Sequence, residues 1–430
     1  MDALFALPIL VVLMIVGLPV AWSFAGVLAY LVWTFDVNLN TLMLQGFRSL
    51  NSLVLIALPL FILTGYLMET GGIARRIVTF IGRLAGGRAG LGGVVVVSSA
   101  IFGAIAGTAS AAVASMGTIM SGPMAERGYP RGYIASLLGV SSLLGILIPP
   151  SITMILFAVA TRQSVAACFA ASIGPAILLI LCLLIWNRLF VGTQPQITEA
   201  PHDPGVTLGG ATLSALPALS LPVIILGGIY GGIFTPTEAA AVAAVAALAA
   251  AVVGFVFYRE LTPRLFATSL VRTAETTGSI IVILLFSFMI SRILSFERIP
   301  QDLAEAVQGF AGNPIWALLL VNAVLILAGM LMDDVSVTVV VAPLFLPLMT
   351  ASGVDPVQFA AIVACSVVIG ANSPPMAPIL YMSCRVCNAS VMTAVKPVLS
   401  ILICVVLPVT LATTYWPALS LTIPHLLGLN

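Results

Sequence analysis

Two adjacent carboxylates, Asp333 and Asp334, interrupt an otherwise apolar run over residues 314–350. At membrane depth a charged side chain is expensive, and by default it marks an ion or substrate pathway. Neighbouring residues point to different faces, so one carboxylate can coordinate a cation while the other caps the helix that follows. Both can also serve only as caps at a wet turn. A second interruption, Gly107-Thr108-Ala109-Ser110, divides the run 91–125 and is built of small residues. Small side chains let backbones approach closely, and glycine adopts turn conformations closed to other residues. Two Pro-Pro pairs, Pro149-Pro150 and Pro374-Pro375, break two further apolar runs, and they stand 225 positions apart (149 to 374). A proline inside a helix removes a hydrogen bond and clashes with the preceding turn. In lipid the freed carbonyls survive only where they line a site or cavity.

Exposed carbonyls beside hydroxyls and carboxylates suit a hard monovalent cation such as Na⁺. The candidates for two Na⁺ sites are Gly107, Thr108, Ser110, Ser141, Ser142, Pro149, Asp333, Ser336, Gly370 and Asn372. The small residues would equally serve tight helix packing alone. Helices starting at Ser151 and Met376, just after the prolines, present positive dipole ends that suit a carboxylate. The substrate candidates are therefore Ser110, Ser151, Asp334, Asn372 and Ser373. Each break is expected to pair with the tip of its own half, the first with Gly107 and the second with Asp333-Asp334.

The chain that must position these residues has 430 of them, 61% hydrophobic and 7% charged, with a formal net charge of +1. Ordinary soluble domains are about 25% charged, so this composition predicts an all-α polytopic membrane protein. The charge excludes a basic nucleic-acid footprint. No cleavable signal peptide is expected, because the first apolar segment begins at Ala3 with no basic stretch before it. The predicted segments are 3–16, 19–35, 52–69, 91–106 with 110–125, 133–160 and 168–190. A polar linker follows, and then 213–230, 236–258, 276–294, 314–331 with 335–350, 358–383 and 396–418. Matching landmarks recur at nearly constant offset: Phe61 with Phe286, Pro130 with Pro356, Pro150 with Pro375, Pro175 with Pro397.

The expected organisation is two repeats of five crossings, each with a re-entrant helical hairpin and a Pro-Pro broken helix. The first repeat is 1–192, with hairpin 91–125 and broken helix 133–160. A cytoplasmic linker spans 193–212. The second repeat is 213–430, with hairpin 314–350 and broken helix 358–383. An odd number of crossings inverts the second repeat, the plan of many secondary transporters. With both termini outside, only Arg48, Arg162, Arg292 and Arg298 of the 16 basic residues fall outside, as the positive-inside bias requires. Ile73–Leu84 has the periodicity of an amphipathic helix at the cytoplasmic interface, its arginines toward headgroups. Its counterpart around Ile299–Phe310 carries Asp302 and Glu305 instead.

Other motifs carry less. Cys384-Arg-Val-Cys387 has CxxC spacing but no second ligand pair, and the six cysteines lie in or beside apolar segments. His202 and His425 stand alone. Thr235-Pro-Thr-Glu238 is a helix-start signature. No Walker motif is present, so ATP is not the expected energy source. No Ser/His or HExxH arrangement supports a hydrolase, and no enzymatic role is expected.

Several stretches together resemble the large membrane subunit of the tripartite ATP-independent periplasmic (TRAP) transporters. They are Ala57-Leu-Pro-Leu-Phe-Ile-Leu-Thr-Gly65, Phe102-Gly-Ala-Ile-Ala-Gly107, Leu144-Gly-Ile-Leu-Ile-Pro-Pro-Ser151, Gly231-Gly-Ile-Phe-Thr-Pro-Thr-Glu-Ala-Ala240, Gly329-Met-Leu-Met-Asp333 and Ser373-Pro-Pro375. The resemblance implies an elevator-type transporter with scaffold and transport domains, and Na⁺ coupling in the bacterial inner membrane. It also implies a small four-helix membrane subunit and a periplasmic substrate-binding protein as partners, and a small organic acid as cargo. The chain departs from the family pattern at Ala106 and Ala109, at Ala371-Asn372-Ser373, and at Asp334, where proline is common. Two other readings are an H⁺- or ion-coupled carrier that works without a binding protein, and a non-transporting membrane receptor or scaffold.

Overall fold

The computed structural model describes residues 5–70, 72–85, 90–198, 207–258, 262–302, 305, 313–374 and 377–429. Among them every regular element is helical, as expected where backbone groups cannot rely on water. In chain order the helices are α1 (Ala6–Ile15), α2 (Val20–Phe35), α3 (Leu39–Leu50), α4 (Ala57–Thr70), α5 (Ile73–Leu84), α6 (Gly90–Ala106) and α7 (Ala109–Glu126). A bent run follows: α8 (Arg131–Ser142), α9 (Leu144–Leu147) and α10 (Ile152–Thr161), and then α11 (Val165–Gly192). After residue 206 come α12 (Leu208–Tyr230), α13 (Pro236–Tyr258), α14 (Pro263–Phe296) and α15 (Pro314–Leu331). The remainder is α16 (Asp334–Ala351), α17 (Pro356–Asn372), α18 (Pro378–Val386), α19 (Val391–Tyr415) and α20 (Ala418–Leu426).

Among the described residues, six helical stretches are long and apolar enough to cross a bilayer: Leu53–Thr70, α11, α12, α14, α16 and α19. A seventh is the pair Arg131–Leu147 and Ile152–Thr161, bent by 45°. Over their described residues, Val20–Phe35, Gly90–Ala106, Pro236–Ala249, Ile315–Leu331 and Pro356–Asn372 are shorter apolar helices. Several bounds differ from expectation. α12 starts at Leu208, inside the stretch assigned to the linker, and α14 starts at Pro263, well ahead of 276. In both cases a threonine side chain caps the helix: Thr207 accepts from Gly210 N–H at 3.2 Å and Thr262 from Leu265 N–H at 3.3 Å. α3 has no counterpart among the predicted segments. Its face toward α14 buries Leu42 and Gly46, while Asn40, Gln45 and Arg48 interrupt its apolar content.

α5 has the predicted bounds, and its apolar residues Ile73, Ala74, Ile77 and Ile81 are buried. They pack on α6 and α12, so that face is covered by protein. Most of the expected counterpart (Leu303, Ala306, Val307, Phe310) lies outside the described residues, as do Arg88, Arg259, His202, Pro375 and Met376.

The core around the interruptions is held by backbone-to-backbone approach. A Cβ on Gly103 in α6 would lie 2.5 Å from Gly145 Cα, and one on Gly370 in α17 would lie 2.4 Å from the Gly329 carbonyl carbon in α15. Each contact joins the first arm of an interrupted run to the broken helix beside it. The two pairs stand at offsets of 226 (103 to 329) and 225 (145 to 370).

Candidate functional site

At the first tip, α6 ends at Ala106 and the chain turns through Gly107, at φ +65°. Its N–H still donates to Gly103 O at 2.8 Å. Thr108 is extended and α7 begins at Ala109. Gly107 is packed against the first break: a Cβ there would meet Pro150 O at 3.3 Å and Ile152 Cγ1 at 3.5 Å. At that break α9 stops at Leu147, Ile148 is extended, and the Pro149-Pro150 peptide is cis. Ser151 then caps α10, its hydroxyl oxygen accepting from Met154 N–H at 3.4 Å. Pro149, Pro150 and Ser151 are all buried.

At the second tip, α15 ends at Leu331, Met332 and Asp333 are extended, and α16 begins at Asp334. Asp333 occupies the capping position, and its carboxylate takes the Ser336 hydroxyl. The carboxylate of Asp334 accepts from Thr153 Oγ1 of α10 at 3.0 Å. So the second tip's side-chain bond reaches the first break. The expected pairing holds for the first tip, Gly107 against Pro150, and the second tip adds a contact to the same segment, so both tips meet Pro150–Thr153. Directly after this tip α16 makes a π-turn, Val337–Val341, a feature that recurs at functional sites.

At the second break α17 ends at Asn372. Ser373 donates its hydroxyl to Ile369 O at 2.8 Å, which commits that hydrogen to its own backbone. Pro374 is described; Pro375 and the helix start expected at Met376 are not. Ala377, at φ +33°, leads into α18. Asn372 is fully buried. Its Nδ2 donates to Val368 O at 3.3 Å, and its Oδ1 has no hydrogen-bond partner among the described residues. That oxygen lies over Gly139 of α8, where a Cβ would come within 2.7 Å of it. Also on α8, Ser141 and Ser142 are fully buried with unpartnered hydroxyls, as is Thr338 in the π-turn. Ser136, by contrast, donates to Gly132 O at 2.7 Å and Ala394 O at 2.9 Å.

An unpaired buried polar atom costs about 1–3 kcal/mol, and each one calls for a physical reason. Neutral hydroxyl and amide oxygens with carboxylates nearby are the ligands a hard cation takes. The residues present therefore fit Na⁺. No group of three or more His, Cys, Asp or Glu with metal-ligand placement occurs among the described residues. Cys384 and Cys387 are buried free thiols, and the Cys387 carbonyl accepts from Arg131 at 2.9 Å.

Ser110 is exposed in the first turn of α7 and opens into a different space. This cavity of about 290 Å³ is also lined by Tyr66, Glu69, Arg272, Glu275, Thr276 and Met382. Tyr66 and Thr276 share a hydrogen bond of 3.0 Å across it. Gly370 is the partner of Gly329 in the close approach described above, and Thr108 is half-buried at the tip. Sequence reasoning missed Thr153, whose partner is remote in the chain, and the charged group Glu69–Arg272–Glu275. The polar stretch Arg272-Thr-Ala-Glu-Thr-Thr277 was the available signal for the latter. Glu238 is structural: Thr235 N–H donates to its carboxylate at 2.8 Å and its own N–H donates to Thr235 Oγ1 at 3.3 Å, a capping box.

Apolar helices interrupted at two tips and, among the described residues, at one bend of 45°, with the Asp334 carboxylate brought to that bend, fit a multi-pass membrane transporter. Comparison with known proteins makes the class particular. Residues 7–419 match the family "Tripartite ATP-independent periplasmic transporter, DctM component", and the chain belongs to this family as a large membrane subunit. It is 34% identical over 410 residues to the C4-dicarboxylate TRAP transporter large permease protein DctM of Pseudomonas aeruginosa, covering 94% of each chain. It is 31% identical over 426 residues to the sialic acid TRAP transporter permease protein SiaT of Haemophilus influenzae, covering 98% of this chain and 68% of that one. Among solved structures, the Alcanivorax borkumensis YdaH transporter has the same fold, with a TM-score of 0.62 over 88% of each chain at 14% identity.

Proposed function

We propose that the chain is the membrane-crossing subunit of a Na⁺-driven importer of a small organic acid in the bacterial inner membrane. It works with a small membrane subunit and a periplasmic binding protein that delivers the substrate. The observation that carries this reading is the meeting of both tips at Pro150–Thr153: Gly107 packs on Pro150 and Ile152, and Asp334 accepts from Thr153. The relatives' names indicate C4-dicarboxylates, sialic acid and isethionate as the kind of cargo.

In this reading Na⁺ ions neutralise Asp333 and take up the unpaired oxygens of Ser141, Ser142, Thr338 and Asn372. The ions hold the tips against the breaks and complete the substrate site. The positive end of α10 at Ser151 then faces the substrate carboxylate. Each cation moved inward across ~100 mV supplies about 2.3 kcal/mol. The glycine pairs at matching offsets support two inverted repeats, with hairpins 91–125 and 314–350. Those hairpins and the broken helices form a unit that slides, elevator-fashion, against a scaffold, with both termini periplasmic. The cavity holding Ser110 and Arg272 lies on the cytoplasmic side of this arrangement, with Arg272 set among Glu69 and Glu275.

Asp333→Ala is expected to abolish Na⁺-dependent uptake into proteoliposomes while the protein remains folded by size-exclusion and thermal melting. Undiminished uptake by the folded variant would remove Asp333 from the coupling site.

A further inference from the structure

At the far end of α10 from the site lies a cavity of about 530 Å³, walled by that helix end, by the stretch following α3, and by α14. Its polar lining is Arg162, Arg292, Gln163 and the serines Ser49, Ser52, Ser291 and Ser295, and among the described residues no carboxylate lines it. The cavity at Ser110, by comparison, sets one arginine against two glutamates. Here two guanidiniums share a concave space with neutral donors alone.

Both arginines are placed by specific local structure. Arg292 donates Nε to Gln45 Oε1 at 2.9 Å, and its guanidinium sits 4.3 Å from the centroid of the Phe296 ring. These contacts orient the group through Nε and one face, and no further hydrogen bond engages it among the described residues. Arg162 ends α10 in the left-handed region, at φ +58° and ψ +37°. Glycine is the usual residue there, and a side chain costs roughly 1–2 kcal/mol. A cation at a helix C-terminus complements the dipole, yet the second guanidinium belongs to another helix. α10 has ten residues, so its two ends are about 15 Å apart at 1.5 Å per residue. One end carries the Thr153–Asp334 bond and the other carries Arg162.

We propose that this cavity is a vestibule that binds a small organic carboxylate anion before it reaches the site between the tips. The inference rests on the reading of the chain as an organic-acid importer, whose topology sets Arg162 and Arg292 on the non-cytoplasmic face. Arginine forks match carboxylates in bidentate geometry. The volume lies in the usual range for small-molecule sites, about 300–1,000 Å³. A docked protein would instead need roughly 800 Å² of surface per partner.

The test is arginine footprinting of the full chain in detergent. Pulses of phenylglyoxal are applied in the presence of succinate or of its neutral isostere succinamide at matched ionic strength, and modification is read residue by residue by mass spectrometry. Succinate is expected to slow modification of Arg162 and Arg292 at least threefold relative to succinamide, leaving Arg298 and Arg188, which are likewise exposed but line no such cavity, unchanged. Arg292→Gln should remove the protection at Arg162. Equal modification with both compounds, or equal protection at all four arginines, would overturn the vestibule. Protection by polyglutamate but not by succinate would also overturn it, in favour of a protein-docking surface. None of these results depends on transport, so failure of the importer reading is seen separately, as absent Na⁺-dependent uptake by the wild-type protein.

Discussion

Thr153 donates to a carboxylate 181 positions further along the chain, and that bond joins the second tip to the first broken helix. A hydrogen bond to a charged acceptor contributes about 1.5–3 kcal/mol, and removing the donor leaves the carboxylate underpaired. Thr153→Val keeps the side chain's shape and loses the hydroxyl. It is expected to lower the kcat/KM of Na⁺-dependent uptake about tenfold or more, with Thr153→Ser restoring most of it, since each tenfold corresponds to about 1.4 kcal/mol. Equal kcat/KM in wild type and Thr153→Val would mean that the contact is dispensable. Asn372 illustrates a different economy at the same scale. Its amide hydrogen goes to Val368, and its oxygen, aimed at Gly139, is left for a ligand.

At the scale of elements, the interrupted helices depend on backbone approach that no side chain tolerates. Gly103 lies on Gly145 and Gly329 on Gly370, and a methyl at Gly103 or Gly370 would meet backbone that cannot swing aside. Overpacking of this kind costs about 1–3 kcal/mol. Gly103→Ala and Gly370→Ala are each expected to lower the melting temperature in detergent, whereas Gly122→Ala, with open space around it, should not. Equal melting of all three variants would contradict the close-packed contacts. The positions of the tips were legible in the chain, because a glycine or a pair of aspartates inside an apolar run has few structural explanations. The bounds of α5 were legible too, through the spacing of Ile73, Ile77 and Ile81. α3 was not, since its buried Leu42 and Gly46 alternate with polar residues that read as loop. The starts of α12 and α14 were set by threonine caps outside the apolar windows. The meeting of tip and break, and the cavity shared by Ser110 and Arg272, are properties of tertiary packing that hydropathy does not encode.

At the scale of the whole molecule, the chain is a scaffold of long helices around short, broken ones. Among the described residues six stretches satisfy the length and apolarity of a crossing and a seventh does so by bending. The interrupted helices α6 and α17 are shorter and largely enclosed by protein, whereas α15 buries one side only, with Ile315, Trp316 and Leu327 exposed. That is where irregular backbone is tolerated in a membrane. Under the proposed function, this architecture couples an inward Na⁺ gradient to the import of an organic acid handed over by a binding protein. The most direct measurement is uptake of radiolabelled succinate, sialic acid and isethionate into proteoliposomes. They would hold the chain with its small membrane subunit, with and without the binding protein outside, in NaCl or choline chloride. Accumulation of one of these acids is expected only when Na⁺ and the binding protein are both present outside. Equal accumulation in choline chloride, or without the binding protein, would contradict it.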